Sequence, residues 1–206
     1  MLITFEGIDG CGKTTQIQLL SNALKQQKID FLLTKQPGGT QIGQQIRTLL
    51  LDPQNESMTA STELLLYLAD RLQHIEEIIR PALKNGQLVL CDRYHDATLA
   101  YQGGGRQLDL KWLQPLLKQL IQPQLTFLFP ISPEASQDRI NFRKQANGSQ
   151  PCRLESEKAS FFSAVSAAYL QLAHLEPKRF CVIPAEQPVE TIHQQVLEQV
   201  IQTLGL

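Results

Sequence analysis

The segment Gly7–Thr14, which reads Gly-Ile-Asp-Gly-Cys-Gly-Lys-Thr, constrains the fold of this chain more than any other feature. It matches the phosphate-binding pattern G-x-x-x-x-G-K-[ST] at every fixed position. Glycines let successive backbone N–H groups turn toward phosphate oxygens, where a side chain would obstruct them. Lys13 is placed to reach the β- and γ-phosphates, and the Thr14 hydroxyl is suited to bind Mg²⁺. The pattern therefore indicates a site for a nucleoside triphosphate.

The residues on either side of this loop support the same interpretation. Residues 2–6 form an apolar run typical of a strand, and Ile17, Leu20 and Leu24 follow the loop at helical spacing. The loop is thus predicted to join a strand to the N-terminus of a helix, where the helix dipole favours anions. On this basis we expect ATP to contact a continuous run of residues, namely Gly7, Ile8, Asp9, Gly10, Cys11, Gly12, Lys13, Thr14 and Thr15.

Short apolar runs alternate with helical patterns along the whole chain. The predicted strands cover residues 2–6, 29–34, 87–91, 125–129 and 180–183. The predicted helices cover residues 13–27, 41–51, 61–79, 109–120, 133–145, 157–174 and 188–204. This alternation predicts a single α/β domain over residues 1–206, a P-loop NTPase fold with three α/β/α layers and a central parallel sheet of about five strands. The polar stretch 144–156 predicts a mobile loop between two helices.

The composition and net charge of the chain indicate which kinds of partner and metal it is not expected to bind. Its 206 residues carry a net charge of −1 and are 42% hydrophobic, which gives neither the basic footprint of a nucleic-acid-binding protein nor the composition of a disordered one. Its four cysteines are scattered without a C-x-x-C pair, which argues against zinc and against a disulfide framework. No apolar run reaches the length of a membrane-spanning helix. We therefore expect a cytoplasmic protein that binds neither nucleic acid nor membrane.

A set of arginines at predicted helix and strand ends suggests that a second phosphate group binds near the first. A phosphate-binding loop alone does not separate kinases from GTPases and motor ATPases, but the N-K-x-D motif of guanine-specific GTPases is missing from the sequence. Phosphoryl transfer between two nucleotides brings two polyanions together, and the planar fork of arginine suits their neutralisation. The arginines in question are Arg47, Arg71, Arg93, Arg106, Arg139, Arg143 and Arg153.

Four separated motifs, in order, resemble those of thymidylate kinases of the bacterial type. The most specific is the segment 92–106, Asp-Arg-Tyr-His-Asp-Ala-Thr-Leu-Ala-Tyr-Gln-Gly-Gly-Gly-Arg, beside the family pattern D-R-Y-x-x-S-x-x-A-Y-Q-G-x-G-R. The others are Phe-Glu-Gly-Ile-Asp-Gly at 5–10, Thr-Lys-Gln-Pro-Gly-Gly-Thr at 34–40, and Thr-Glu-Leu-Leu-Leu-Tyr at 62–67. The resemblance spans residues 2 to 200. It implies that the chain transfers the γ-phosphoryl group of ATP–Mg²⁺ to dTMP, giving dTDP in the synthesis of dTTP. It also implies a homodimer with helix 61–79 at the contact, although core packing explains the apolar positions of that helix equally well.

The resemblance also implies roles for individual residues near the phosphates. Asp92 corresponds to the acidic residue near Mg²⁺, where it joins Thr14. Arg93 and Arg47 correspond to the arginines that hold the acceptor phosphate, and Asp9 corresponds to an acid near the acceptor sugar and phosphate. Without an arginine in the loop, the charge for the transferring group is expected from the stretch 144–156 and its flanks, named here the predicted lid, with Arg143, Lys144 and Arg153 as candidates.

A second group of residues is implied to form the pocket for the acceptor base. Tyr67 corresponds to the aromatic residue that stacks on thymine, and Arg71 corresponds to the residue that binds its O4 atom. Tyr101 resembles a gate against a ribose 2′-hydroxyl. The remaining candidates for contact with the acceptor are Pro37, Thr98 and Gln102. We interpret His95 as an exposed loop residue, because transfer to an ionised phosphate requires no general base.

The chain departs from the family pattern at several positions. Gln36 and Cys152 replace acidic residues of R-E-P-G-G-T and of the lid element D-R-[IL]-[ED], and Pro130 and Pro184 stand at predicted strand ends. Two alternatives to a dTMP kinase stay open. One is a kinase for another pyrimidine monophosphate, such as dUMP or UMP. The other is a paralogue that binds nucleotides without turnover.

Overall fold

The central sheet of the protein consists of five short strands that all run parallel. They are β1 (Leu2–Glu6), β2 (Phe31–Lys35), β3 (Leu88–Asp92), β4 (Leu125–Leu128) and β5 (Phe180–Val182), paired in the order β2-β3-β1-β4-β5. The structure is a computed structural model that describes residues 1–147 and 152–206. The predicted α/β fold with a parallel sheet of five strands is confirmed.

Alternating side chains of β3 show that the centre of the sheet is buried on both faces. Leu88 and Leu90 belong to a core cluster that includes the helix after the phosphate-binding loop, whereas Val89 and Cys91 belong to a second cluster. Successive side chains of a strand point to opposite faces, so a strand covered on both sides is apolar throughout. This explains why the strands appear in the sequence as continuous apolar runs.

The helices connect and cover the strands. The α-helices are α1 (Lys13–Gln26), α2 (Gln41–Leu51), α3 (Ala60–His74), α4 (Arg80–Lys84), α5 (His95–Thr98), α6 (Gln114–Gln119), α7 (Pro133–Asn147), α8 (Ala159–Leu175) and α9 (Val189–Leu204). Two π-helical segments, Ile75–Ile79 and Leu99–Gly105, continue α3 and α5. Short 3₁₀ turns cover Pro53–Asn55, Lys111–Leu113 and Arg153–Ser156. Among the described residues, no helix combines the length and apolarity needed to cross a membrane.

Two of the helices that the sequence predicts as continuous contain a π-helical or 3₁₀ segment next to a proline. The predicted helix 61–79 is α3 followed by a π-helical segment that ends just before Pro81. Proline has no N–H to donate to the carbonyl four residues earlier, which accounts for the widened turn at this point. The predicted helix 109–120 begins as a 3₁₀ turn, because Pro115 lies in the first turn of α6 and fits only there.

The helical conformation of residues 95–105 is not predicted by the sequence, because three consecutive glycines suggest a loop. In the structure these glycines pack a π-helical segment closely against α8. A Cβ atom at Gly104 would lie 2.5 Å from the Cβ atom of Ala168. The glycine is thus needed for close approach between two helices rather than for a turn.

The predicted lid is not a loop at either of its ends. Helix α7 continues to Asn147, because Lys144, Gln145 and Ala146 are good helix formers. At the other end of the predicted lid, Glu155 accepts a hydrogen bond from the backbone N–H of Cys152 at 3.3 Å and caps the turn Arg153–Ser156. Residues 148–151 of the predicted lid lie outside the described residues.

Candidate functional site

The carboxyl ends of β1, β2 and β3 meet at one edge of the sheet and place three motifs side by side. The register aligns Phe5 of β1 and Lys35 of β2 with Asp92 of β3. The phosphate-binding loop follows β1, the segment 36–40 follows β2, and Arg93 follows β3. Ligands of parallel sheets bind at this edge, where the strand order reverses direction.

The phosphate-binding loop has the tight geometry that its glycines predict. Gly7 has a φ of 136°, and a Cβ atom there would lie 2.9 Å from the Phe129 carbonyl oxygen. Lys13, in the first turn of α1, donates hydrogen bonds from Nζ to the carbonyl oxygens of Gly7 at 2.9 Å and Ile8 at 3.0 Å. Its ammonium group therefore lies within the ring of the loop, where phosphate oxygens are expected.

Asp92 and Thr14 provide oxygen atoms that suit a divalent cation. Thr14 is exposed at the N-terminus of α1. Asp92 ends β3, and its Oδ1 atom is buried without a hydrogen-bond partner within residues 1–147 and 152–206. Mg²⁺ prefers carboxylate and hydroxyl oxygens and is usually held by one or two protein ligands together with phosphates and water. The unpartnered carboxylate oxygen fits such an ion.

Arg93 is held in an unusual backbone conformation by contacts with the phosphate-binding loop. Its φ is 65°, in the left-handed region that non-glycine residues rarely adopt. The guanidinium group donates to the Gly7 carbonyl at 2.9 Å and to Oδ1 of Asp9 at 2.7 Å, and it lies 5.1 Å from the centre of the Tyr101 ring. Backbone strain of this kind is retained where it positions a functional group.

Asp9 stays ionised because of its neighbours. Burial alone would raise the pKa of its carboxyl group, but the charges of Arg93 and Lys13 lower that pKa to about 2. The carboxylate therefore remains a fixed partner for Arg93 at neutral pH. The same contact connects the loop after β1 with the residue after β3.

Arg71 reaches from α3 into the opposite end of the site and is almost fully buried. Its Nε atom donates to Oε1 of Gln36 at 2.9 Å, and its two terminal nitrogens donate to Oγ1 of Thr98 at 2.6 Å and to the Tyr94 carbonyl at 2.8 Å. All three acceptors are neutral. The guanidinium plane is therefore fixed, while its charge stays unneutralised by these partners.

The structure explains how a glutamine is accommodated where the family pattern has a glutamate. Nε2 of Gln36 lies 2.8 Å from Nδ1 of His74, and Nε2 of His74 lies 2.6 Å from Oγ1 of Thr34. Burial, followed by the charge of Arg71, lowers the pKa of His74 to about 4, so the imidazole is neutral. A neutral Nδ1 accepts the hydrogen bond from the Gln36 amide, and both ends of that amide are thus satisfied.

The carboxylate of Glu63 is fully buried and lies next to Gln102, which lines the same site as Arg71. Glu63 of α3 accepts hydrogen bonds from Arg106, from Gln102 at 2.8 Å and from Arg153 at 2.6 Å. Arg153 also donates to the Leu50 carbonyl at 3.0 Å. The guanidinium group of Arg153 is therefore used inside the protein and does not line the cleft, contrary to its expected place over the phosphates. The reason is the buried charge of Glu63, which a sequence pattern does not show.

One cavity of about 720 Å³ joins the two sides of the site. Most predicted residues line it, and they are Asp9, Gly10, Cys11, Gly12, Lys13, Thr14, Thr15, Pro37, Arg47, Tyr67, Arg71, Asp92, Arg93, Thr98, Tyr101, Gln102 and Arg143. Gly7 and Ile8, the first two residues of the loop, do not line the cavity, and their carbonyl oxygens accept hydrogen bonds from Lys13. Within the cavity, Arg47 of α2 donates to the Pro37 carbonyl at 3.0 Å, and the half-exposed Arg143 of α7 lies 3.3 Å from Glu155.

Four residues beyond the phosphate-binding loop also line the cavity, and no motif in the sequence points to them. Arg139 donates to the carbonyl oxygen of Ala185 at 2.9 Å, and Gln16 donates to that of Val189 at 3.0 Å. These four residues line the same cavity, together with Gln187 and Ile192. Arg139 is one of the arginines singled out in the sequence, but the start of α9 carries no motif that points to a ligand.

The sequence-based interpretation of His95 as an exposed loop residue is wrong. It is buried at the start of α5, and its Nε2 atom lies 3.6 Å from Oδ1 of Asp96. Burial lowers the pKa of His95, which favours the neutral imidazole. Asp96 in turn forms two hydrogen bonds with Arg179, at 2.7 and 2.9 Å. This polar cluster lies inside the protein and anchors α5, and His95 is not exposed in a loop.

Comparison with known proteins identifies the family. A family model described as thymidylate kinase matches residues 5–196. The thymidylate kinase of Exiguobacterium sp. (strain AT1b) is 44% identical over 99% of this chain and 95% of its own length, and that of Desulfosudis oleivorans is 46% identical over 93% and 92%. The crystal structure of thymidylate kinase from Ehrlichia chaffeensis superimposes with a TM-score of 0.76 at 30% identity, covering 97% of each chain. Motifs, fold and relatives agree, and this chain belongs to the thymidylate kinase family.

Proposed function

We propose that this protein transfers the γ-phosphoryl group of ATP to the phosphate of dTMP and releases dTDP and ADP. The observation that carries the proposal is the single cavity that joins the phosphate-binding loop to the pocket of Arg71, Thr98 and Gln102. A phosphate donor and a base-bearing acceptor bound at its two ends would meet between Lys13 and Arg93. The relatives, which are named thymidylate kinases, support the same assignment.

On the donor side, the loop amides and Lys13 bind the β- and γ-phosphates. The Lys13 ammonium exchanges its present carbonyl contacts for phosphate oxygens, which carry more charge. Arg139 and the side chains of Val189 and Ile192 border the space for the adenine ring. Thr14 and Asp92 hold Mg²⁺, which when bound offsets the negative charge of the phosphates.

On the acceptor side, Arg93 and Arg47 bind the dTMP phosphate. Asp9 keeps the Arg93 guanidinium in place, since its carboxylate is ionised at neutral pH. An oxygen of the acceptor phosphate forms the new P–O bond as the bond from the γ-phosphorus to the bridging oxygen breaks, and ADP leaves with the electron pair. Because the acceptor is already ionised, positioning and charge neutralisation supply the catalysis.

The base pocket selects a thymine nucleotide. Tyr67 provides an aromatic face at the cavity wall, and Arg71 donates to the O4 atom of the base. The Tyr101 ring is buried at the wall and would oppose a ribose 2′-hydroxyl. Among the lid residues, Arg143 supplies charge to the transferring group, because its half-exposed side chain lines the cavity whereas Arg153 is paired with Glu63.

The protein is further proposed to act in the cytoplasm as a homodimer. Leu65 and Leu72 of α3 are 56% and 41% exposed, and Ile42 and Leu49 of the adjacent α2 are each 50% exposed. These exposed apolar side chains lie on two helices that pack against each other, and a second copy would cover them. Sedimentation velocity of wild type and Leu65→Glu tests this. A dimer that becomes monomeric in the variant supports the contact, and a wild-type monomer contradicts it.

The experiment for the activity is a coupled assay of ADP release with ATP–Mg²⁺ and four acceptors: dTMP, dUMP, UMP and dCMP. The proposal predicts the highest kcat/KM with dTMP. Comparable turnover of UMP would instead favour a kinase for another pyrimidine monophosphate. Binding of ATP and dTMP without ADP release would favour a paralogue that lacks turnover, although the fully bonded Gln36 amide gives that alternative little support.

A further inference from the structure

Glu63 has a position and a bonding pattern that the proposed mechanism does not use. Its side chain is fully buried and does not line the cavity. Arg106 donates to Oε1 at 3.1 Å and to Oε2 at 2.9 Å, and Arg153 donates to Oε2 at 2.6 Å. The remaining bond comes from Nε2 of Gln102 to Oε1 at 2.8 Å. The carboxylate thus connects Arg153, in the C-terminal part of the predicted lid, to a wall residue of the base pocket.

The surrounding donors keep Glu63 ionised. Burial by itself would raise the pKa of this carboxyl group, but the hydrogen bonds from Arg106, Gln102 and Arg153 lower it below its usual value. An ionised carboxylate accepts hydrogen bonds and has no proton to donate. Glu63 is therefore an obligate acceptor at neutral pH.

This property decides the orientation of the Gln102 amide. The nitrogen and oxygen of an amide side chain have similar shapes, so that their assignment follows from the bonds they make. Only Nε2 can donate to Glu63, and Oε1 of Gln102 must then face away from the carboxylate. Gln102 lines the cavity in front of Glu63. The amide therefore offers its acceptor atom, rather than its donor, to a base in the pocket.

We propose that Glu63 is a positioning residue for base specificity, which fixes the Gln102 amide so that the pocket selects bases that carry a proton at N3. Thymine and uracil have this N3–H donor and an O4 acceptor, which complement Oε1 of Gln102 and the donors of Arg71. Cytosine has an acceptor at N3 and an amino donor at position 4, and it mismatches both. Unpaired buried polar groups discriminate strongly between ligands. The inference rests on the proposed function, since it assumes that a nucleotide base occupies this pocket.

The test is the variant Glu63→Gln, assayed with dTMP, dUMP and dCMP. The amide nitrogen introduced at position 63 donates to Oε1 of Gln102, and this turns the Gln102 Nε2 atom toward the base. The ratio of kcat/KM for dTMP to that for dCMP should fall by about tenfold or more, from one hydrogen bond lost and one repulsion relieved. The ratio of dTMP to dUMP should stay within about twofold of wild type, because both bases carry N3–H. Discrimination at position 4 by Arg71 remains, so dTMP stays preferred.

The matched control is Glu157→Gln, which removes the negative charge beside Arg106 at the outer end of the same network and keeps an acceptor oxygen there. It should leave both ratios unchanged, even if it slows turnover of every acceptor. A purely structural role for Glu63 predicts that Glu63→Gln does the same, and that result would overturn the inference.

If Glu63→Gln does not fold, Gln102→Met tests the same link from its other end. It removes the amide and keeps the bonds of Glu63 to Arg106 and Arg153, and it should also lower the ratio of dTMP to dCMP. An unchanged ratio in this variant contradicts the inference. Failure of the proposed function is a separate result, because in that case the wild type forms no dTDP from dTMP.

Discussion

The two ends of the cavity are built in opposite ways. The phosphate-binding loop is one run of residues, Gly7–Thr14, and its backbone amides and a single lysine carry its chemistry. The base pocket instead brings together Gln36 after β2, Arg71 of α3 and Thr98 of α5. These residues are far apart in the sequence and are joined by buried hydrogen bonds.

The difference shows where the chemistry of each end is encoded. Backbone groups of the loop bind phosphate whatever residues stand at its variable positions, so that Ile8 and Cys11 are tolerated there. In the pocket, each side chain takes its charge state or orientation from a partner behind it. Gln36 depends on a neutral His74, and Gln102 depends on an ionised Glu63. Substitutions at the two ends of the cavity should therefore affect different measured quantities.

The largest effect is expected at the donor end, from Lys13→Ala. The variant removes the only side-chain cation of the loop, and kcat should fall by about 1000-fold or more, because charge stabilisation of the transferring phosphoryl group is lost. Steady-state kinetics with dTMP measures this, and Lys25→Ala at the exposed end of α1 is the control. Near-normal kcat in Lys13→Ala would refute the role of the loop.

At the acceptor end, Arg71→Lys should lower kcat/KM for dTMP by about 100-fold, because lysine keeps the charge but loses the planar fork and its fixed hydrogen bonds. The KM for ATP should change by less than about threefold if the two ends bind separately. Arg80→Lys, in an exposed pair with Glu76, serves as the matched control. If Arg71→Lys raised the KM for ATP as much as the KM for dTMP, the two ends of the cavity would not bind their ligands separately.

His74 links the acceptor end to pH. Its pKa of about 4 in the folded protein is below the ordinary value of 6.5, so the unfolded chain takes up a proton first as the pH falls. The stability that the neutral imidazole contributes is complete above pH 6.5 and is lost toward pH 4. The difference in unfolding free energy between wild type and His74→Asn should therefore shrink by about 2 kcal/mol between pH 7 and pH 5.

Urea denaturation of both proteins at the two pH values measures this change. Glu6, whose pKa burial raises to about 7, titrates in the opposite sense, but its contribution cancels in the difference. The control is His174→Asn, which replaces an exposed histidine at the end of α8 and is measured at the same two pH values. A pH-independent difference for His74→Asn would mean that His74 is not held neutral.

The smallest effect is expected from Gln36→Glu, which restores the acidic residue of the family pattern. A carboxylate at this position still accepts from Arg71 and draws a proton onto Nδ1 of His74, so kcat/KM for dTMP should stay within about threefold of wild type. Histidine NMR should show a raised pKa for His74. Gln54→Glu on the surface is the control, and a loss of more than tenfold would show that the amide itself is required.

The sequence was sufficient to predict the parts of the molecule that depend on local pattern. The five strands, most helices and the loop around Lys13 follow from apolar periodicity and one motif. The helical segment 95–105 was missed because its glycines serve contacts with α8, which lie far away in sequence. Helix α7 was predicted too short, since composition does not mark its end.

The sequence predicts which residues line the base pocket, but not which buried side chains form hydrogen bonds with them. Motifs placed Arg71, Thr98 and Gln102 in one site, and the structure brings them to one cavity. The pairing of Arg153 with Glu63 and the neutral state of His74 arise from burial and from contacts between distant segments. Neither property has a local signature in the sequence, which therefore does not show that Arg153 pairs with Glu63.

The most direct test of the proposed phosphoryl transfer follows ATP, Mg²⁺ and dTMP with the wild-type protein by ³¹P NMR in one sample. We expect dTDP and ADP to appear in equal amounts without inorganic phosphate, because both ends of the cavity serve a single transfer. Release of ADP and inorganic phosphate without dTDP would contradict it, as would the absence of any reaction.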